Sequence, residues 1–126
     1  MTPIKLIQKS MANTHRLTAE YRATLDAALC SKTPTQGLIL LSMRTCEGLT
    51  PAKAIMQPVA VVAARQSFWR LSSGGLIAEA AQYHPRTGTL THYAYELKPE
   101  GRALADQIHD NITALIESVQ PAATAH

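Results

Sequence analysis

The residue types best suited to reading a base pair fall together between residues 59 and 73. Gln66 carries an amide that can bond bidentately to adenine, and Arg65 carries a guanidinium that can bond in the same way to guanine. Val62 and Ala63 are small apolar side chains of the kind that contacts the methyl group of thymine. These four residues are therefore the candidates for base contacts in the major groove of double-stranded DNA.

A helix over residues 59–73 would separate these side chains from a core face. At about 100° per residue, one side collects the apolar residues that would pack inward, namely Val61, Ala64, Phe68 and Leu71. The opposite side has Gln66 near its centre. It also carries an apolar patch formed by Val59, Val62 and Trp69. Such a patch normally has a partner, which is DNA, another protein or a flanking helix of the same chain. An ordinary solvated face is the alternative.

A turn with a basic tip, HPRTGT at residues 84–89, separates two stretches that can form strands. Residues 76–83 and 90–97 therefore predict a β-hairpin. Arg86 at its tip can enter a narrow minor groove. The candidates for contacts to the DNA backbone or through this hairpin are Lys53, Arg70, His84, Arg86, Lys98 and Arg102. Each of them is alternatively a solvated surface residue.

The remaining reactive side chains do not indicate catalysis. Cys30 and Cys46 fit no zinc spacing and no disulfide framework, and both lie in apolar helical patterns typical of small core residues. A redox-sensor pair is the alternative for these cysteines. The five histidines are scattered, and Gly74-Gly75 follows a predicted helix, whereas a phosphate-binding loop precedes one. We therefore expect no enzyme activity, no cofactor and no metal site.

The composition limits the class of protein. The chain has 126 residues, 46% hydrophobic and 17% charged, as in one folded domain. A formal net charge of +3 permits nucleic-acid binding without requiring it. An aromatic content of 5% argues against a base-stacking RNA platform. No apolar run approaches the roughly 18 residues of a membrane span, and the first residues lack a secretory apolar segment. We therefore expect a cytoplasmic protein that does not bind membranes.

Capping residues and helix breakers predict the boundaries of the elements. Thr18 is an N-cap that begins the first helix. Thr33 and Gln36 have capping-box spacing at the start of a second helix, which is apolar on nearly every side. Gly48 ends that helix. Thr50-Pro51 repeats the start signal and predicts a short third helix before residue 58.

The order of the elements predicts a mainly α protein with a small β-hairpin, arranged as a winged helix-turn-helix. Residues 59–73 would form its recognition helix and residues 76–97 its wing. The predicted domain covers residues 17–119. We expect a flexible or partly ordered N-terminal arm at residues 1–16 and a disordered tail at residues 120–126.

The last helix, which begins at Lys98-Pro99-Glu100, carries an apolar stripe longer than the winged core needs. A stripe of this kind usually covers a partner helix. We therefore expect this helix to pack on a second copy of the chain. The interface candidates are Tyr21, Leu25, Ile108, Ile112, Leu115 and Ile116. The alternative is that residues 102–118 pack back on residues 18–31 of the same chain.

Three stretches, taken in order, resemble the MarR family of transcriptional regulators. They are Leu49-Thr50-Pro51, the segment RLSSGGLI at residues 70–77 and the segment LKPEGR at residues 97–102. Two positions differ from the family pattern: the tip reads His84-Pro85-Arg86 where the family has Asp-x-Arg, and Lys98 stands where the family has Thr. The resemblance implies a homodimer joined by terminal helices and a palindromic operator. It also implies a small-molecule or oxidant effector in many members, for which no residue can be matched here.

Two functions from different classes remain open. One is a sequence-specific regulator that binds double-stranded DNA as a homodimeric repressor. The other is a winged-helix module that binds a polymerase or another transcription factor through Val59, Val62 and Trp69, with little affinity for DNA. The dependence of affinity on salt concentration distinguishes the two functions. Contacts to phosphates weaken steeply as the salt concentration rises, whereas an apolar contact with a protein does not.

Overall fold

The fold is mainly helical with one small β-hairpin, as predicted. A computed structural model describes residues 1–45 and 61–124. The helices in these ranges are α1 (Pro3–Ala12), α2 (Ala19–Ala28), α3 (Pro34–Thr45), α4 (Val61–Ser73) and α5 (Pro99–Thr124). The strands are β1 (Ile77–Tyr83) and β2 (Leu90–Leu97), and a short 3-10 turn, Thr14–Arg16, follows α1. The predicted short third helix lies outside the described residues, as do Cys46, Gly48, Lys53 and Val59.

The first helix, α1, covers residues 3–12 of the segment predicted as a flexible or partly ordered N-terminal arm. The hydroxyl of Thr2 accepts a hydrogen bond from the backbone N–H of Lys5 at 3.2 Å. Pro3 occupies the first turn, where its missing N–H costs nothing. Leu6 and Ile7 are buried, and α1 packs against α3 and α5. A local cap and a short apolar face are therefore enough to order this segment.

Side-chain caps begin α2 and α3 at the predicted residues. The hydroxyl of Thr18 accepts a hydrogen bond from the backbone N–H of Tyr21 at 3.1 Å. At α3, the Thr33 hydroxyl accepts from the backbone N–H of Gln36 at 3.2 Å, and the Gln36 side-chain oxygen accepts from the backbone N–H of Thr33 at 3.0 Å. This reciprocal pair confirms the predicted capping box.

The core is built around α3, as expected for a helix that is apolar on nearly every side. Five of its residues are at most 3% exposed, namely Leu38, Ile39, Leu40, Leu41 and Met43. The helix contacts α1, α4, β2 and α5. It therefore positions both α4 and the long helix that follows the hairpin.

The end of α4 depends on glycine. The backbone N–H of Leu76 donates to the carbonyl of Leu71 at 3.0 Å, and Gly75 has a φ of +77°. This is the Schellman arrangement, in which the left-handed residue is usually glycine. Gly101 of α5 lies against the same turn, since a Cβ there would be 1.9 Å from the carbonyl oxygen of Leu76. Gly75 and Gly101 thus allow the end of α4, the base of the hairpin and the start of α5 to lie close together.

The hairpin forms at the predicted residues. Its strands are antiparallel, with Ile77 opposite Leu97 at the base and Tyr83 opposite Leu90 near the tip. The register is irregular beside Tyr83. At about 3.3 Å per residue, the tip lies roughly 20 Å from the base.

The apolar stripe of α5 packs against the protein's own core, as in the alternative to the predicted dimer interface. Four of the interface candidates are buried, namely Leu25, Ile108, Ile112 and Ile116. The helix packs against α1, α2 and α3, and Nδ2 of Asn111 donates to the carbonyl of Ala28 at 3.2 Å. The structure therefore contains the packing within one chain, and the homodimer stays a prediction. The physical reason for this packing is α1, a helix that the sequence reading did not include and that adds apolar surface to the core.

The backbone of α5 also extends past the predicted end of the domain. It is helical to Thr124, whereas the sequence predicts a disordered tail from residue 120.

Candidate nucleic-acid interface

Two buried side chains set the rotation of α4. Phe68 and Leu71 are 0% and 1% exposed, as predicted for the core face. The ring of Phe68 packs on Tyr95 of β2 with centroids 4.7 Å apart and planes tilted by 31°, within the range of stabilising aromatic pairs. Rotating α4 would pull both side chains out of the core. The face opposite to them is therefore fixed towards solvent.

That opposite face is the predicted one. Its exposed residues are Arg65, Gln66, Trp69, Arg70 and Ser73. Trp69 is 69% exposed, so none of the described flanking helices covers it. The side chains of Val61, Val62, Ala63 and Ala64 lie outside the described part of the structure, although their backbone belongs to α4.

The exposed face of α4 is positively charged. The helix contains Arg65 and Arg70 and has no Asp or Glu residue. Neither guanidinium forms an ion pair with a described residue. Arg44 differs, because its Nε lies 2.7 Å from Oδ1 of Asp106 and ties α3 to α5. Among the described residues, Arg44 therefore has a structural contact that the two arginines of α4 lack.

His84 shapes the tip of the hairpin. Its ring Nδ1 accepts hydrogen bonds from the backbone N–H groups of Arg86 and Thr87 at 3.1 and 3.3 Å. Its backbone N–H donates to the carbonyl of Thr89 at 2.8 Å, and its carbonyl accepts from the N–H of Gly88 at 2.9 Å. Gly88 has a φ of +68°, which glycine adopts without strain. These bonds hold Arg86 at an exposed tip, and they make His84 an organiser of the turn.

The other candidates for backbone contacts lie at the base of the hairpin. Lys98 and Arg102 are exposed at the start of α5. The backbone N–H of Lys98 donates to the carbonyl of Leu76 at 3.0 Å, which places Lys98 beside the end of α4. Arg86 lies at the far end of the hairpin, roughly 20 Å from its base. Lys53 is outside the described residues.

Tyr95, which supports Phe68, sits in an environment that disfavours its charged form. Burial raises the pKa of Tyr95 above its ordinary value. The carboxylate of Glu79, directly opposite in the strand register, adds to this rise. The phenol therefore stays neutral under all but alkaline conditions, and the packing behind α4 does not depend on pH near neutrality.

A cavity of about 510 Å³ lies where α1, the 3-10 turn, α2 and α5 meet. Its lining includes Tyr21 and Leu115, the two candidates for the dimer interface that are only half-buried. Its lining is otherwise largely apolar and includes the cations Lys9 and Arg16. The sequence reading missed this cavity because its walls come from four separate elements, none of which carries a local motif for it.

Cys30 lies at the end of α2 and packs against the edge of the core. Its Sγ accepts a hydrogen bond from Nδ2 of Asn111 at 3.7 Å. Cys46 lies outside the described residues, so the proposed redox pair stays a prediction.

Comparison with protein-family models, with curated proteins and with solved structures finds no match for this chain. The resemblance to MarR regulators therefore rests on the three sequence stretches and stays a prediction. None of the helices in residues 1–45 and 61–124 is both long and apolar enough to cross a membrane. Within the same residues, no three His, Cys, Asp or Glu side chains are grouped so as to hold a metal ion.

Proposed function

We propose that this protein is a sequence-specific transcriptional regulator that binds double-stranded DNA through a MarR-like winged helix-turn-helix. The observation that carries the proposal is the exposed face of α4, which has Arg65, Gln66 and Arg70 and no acidic residue. Guanidinium groups supply charge for phosphates and donors for guanine, and the amide has the donor and acceptor that match adenine. The burial of Phe68 and Leu71 supports the proposal further, since it presents this face rigidly.

In this proposal α4 enters the major groove. A helix about 10–12 Å in diameter fits a groove about 12 Å wide. Arg65 and Gln66 contact base edges, while Arg70 and Lys98 contact phosphates on the groove wall. Arg86, roughly 20 Å from the hairpin base, reaches the neighbouring minor groove. Base contacts give sequence preference, and the phosphate contacts give the salt-dependent part of the affinity.

The proposed regulator is a cytoplasmic homodimeric repressor that covers a promoter at a palindromic operator. Two copies would present their α4 helices to half-sites about 34–36 Å apart, one turn of DNA. The buried stripe of α5 cannot join the copies. The contact between copies therefore falls on accessible surface, for which the half-buried Tyr21 and Leu115 beside the cavity are the remaining candidates.

A protein-binding winged helix is the second candidate function. The observation in its favour is Trp69, an indole that is 69% exposed on the same face. Exposed apolar groups of this size are enriched at protein interfaces. In this reading the arginines flank an apolar contact and bind no phosphate.

Selection from a pool of random duplex DNA tests the proposal. The retained DNA is sequenced after washing at low and at physiological salt. We expect an inverted repeat that survives physiological salt, and its half-site spacing tests the dimer. If nothing enriches and all retention disappears with added salt, the contact is only electrostatic and the proposal fails. The protein-binding alternative then takes its place.

Two glutamine variants show whether α4 carries the preference. Gln66→Ala should relax the selected base at one position by about 1–3 kcal/mol. Gln107→Ala is the matched control, because Gln107 is an exposed glutamine on α5, and it should select the parent sequence. A Gln66→Ala variant that selects the parent sequence with the parent preference would remove Gln66 from the base contacts.

A further inference from the structure

Trp69 lies on the exposed face of α4, to one side of Gln66, which is near the centre of that face. At about 100° per residue, Arg65 lies about 40° to one side of it, and Ser73 and Gln66 lie about 40° and 60° to the other. Leu71, which is buried, lies about 160° away. The indole is 69% exposed, and it is the largest apolar side chain on this face. A surface that covers this face around Gln66 therefore also lies close to Trp69.

This position has a consequence for a helix that lies in a DNA groove. Trp69 follows Gln66 by three residues, which is about 4.5 Å along the helix axis. That displacement is close to the 3.4 Å rise between successive base pairs. In a major groove about 12 Å wide, an indole this close to Gln66 comes within reach of the floor of the groove when Gln66 contacts a base edge. Trp69 can then touch a base pair next to the one that Gln66 contacts.

We propose that Trp69 is a specificity-determining residue that selects a T·A pair by packing its indole on the C5 methyl group of thymine. This inference rests on the proposed DNA-binding function. The methyl group of thymine is the apolar group that base pairs present in the major groove. The indole has one N–H donor and no acceptor, so the amino groups of adenine and cytosine would lose hydration against it without gaining a partner. Arg65 and Arg70 on the same face provide the charge that draws this apolar side chain to a polyanion.

Replacing thymine by deoxyuridine tests the inference, because this change removes the methyl group and leaves base pairing intact. Each thymine of the selected duplex is replaced in turn, symmetrically in the two half-sites, and affinity is measured by anisotropy of the labelled duplex. With the parent protein, one position should lose about fourfold per half-site, the effect of one buried methyl group. With Trp69→Ala the loss at that position should disappear, while the losses at all other positions stay. Trp69→Phe keeps an aromatic ring and should keep the loss.

The emission of Trp69 gives a second readout that needs no variant. It is the single tryptophan of the chain, so its fluorescence reports on this site alone. We expect the emission to shift or to be quenched as the selected duplex is added, with the same midpoint as the anisotropy.

The outcomes separate the two proposals. If the duplex binds by anisotropy, but Trp69→Ala keeps the parent's pattern of deoxyuridine losses and the emission does not change, this inference is wrong and the proposed function stands. If no duplex is bound at physiological salt, both are overturned. Circular dichroism of the variants checks that they are folded, which their exposed position leads us to expect.

Discussion

Replacing Ile112 by Ala tests whether the stripe of α5 belongs to the protein's own core. Ile112 is 0% exposed and lies among residues of the single core cluster. The change removes three carbon atoms, which at about 0.8 kcal/mol each costs about 2.4 kcal/mol of transfer free energy. Incomplete collapse of the cavity raises the expected loss in the free energy of unfolding to roughly 2–5 kcal/mol. That is a large part of the 5–15 kcal/mol or so that stabilises a typical domain.

The assay is urea unfolding followed by circular dichroism, combined with sedimentation of the folded protein. Leu115→Ala is the matched control, because it removes the same number of carbons from the same helix at a half-buried position beside the cavity. We expect Leu115→Ala to cost clearly less, since its surroundings are already open. The folded Ile112→Ala variant should keep the oligomeric mass of the parent.

Two results would refute this reasoning. One is a loss below about 1 kcal/mol, which is too small for a fully buried isoleucine. The other is a well-folded Ile112→Ala variant with a lower oligomeric mass, which would return this residue to an interface between copies.

Three further predictions concern the turn, the tip and the strand. Gly101→Ala should lower the free energy of unfolding by roughly 3 kcal/mol or more, because the new Cβ would lie 1.9 Å from the Leu76 carbonyl oxygen. A loss under about 1 kcal/mol, measured by urea unfolding, would contradict that close approach. Arg86→Ala should weaken binding to all duplexes and reduce the slope of log affinity against log salt by about 0.9, because it removes one cation from the contact with DNA. Lys5→Ala, which removes an exposed cation on α1, should leave the slope unchanged. Equal slopes for the parent and Arg86→Ala would rule out the contact between Arg86 and DNA. Because the folded-state pKa of Tyr95 is raised, its contribution to stability is fully present below the ordinary tyrosine pKa of about 10 and is lost as pH rises through the folded-state pKa. The free energy of unfolding, measured against pH, should therefore fall less steeply in alkaline solution for Tyr95→Phe than for the parent. Identical curves would show that Tyr95 does not contribute to the loss of stability at alkaline pH.

Local features of this protein are readable from the sequence because they depend on residues within a few positions of one another. The caps at Thr18 and Thr33 and the glycine end of α4 are of this kind. So is the hairpin tip, where Gly88 follows a Pro-Arg-Thr turn. The cap of α1 at Thr2 follows the same chemistry. The sequence did not predict this helix, because its apolar face is short and is stabilised by the helices on which it packs.

The periodicity of residues 61–73 also determines, by itself, that Phe68 and Leu71 turn inward and that Gln66 and Arg70 turn outward. Tertiary structure decides what meets each apolar surface. It leaves Trp69 uncovered by any described helix, and it buries Ile108 and Ile112 against the protein's own α1, α2 and α3. The physical reason is that the hydrophobic effect is non-directional. An apolar stripe in a sequence shows that a surface must leave water, but only the positions of the other helices determine whether the same chain covers it.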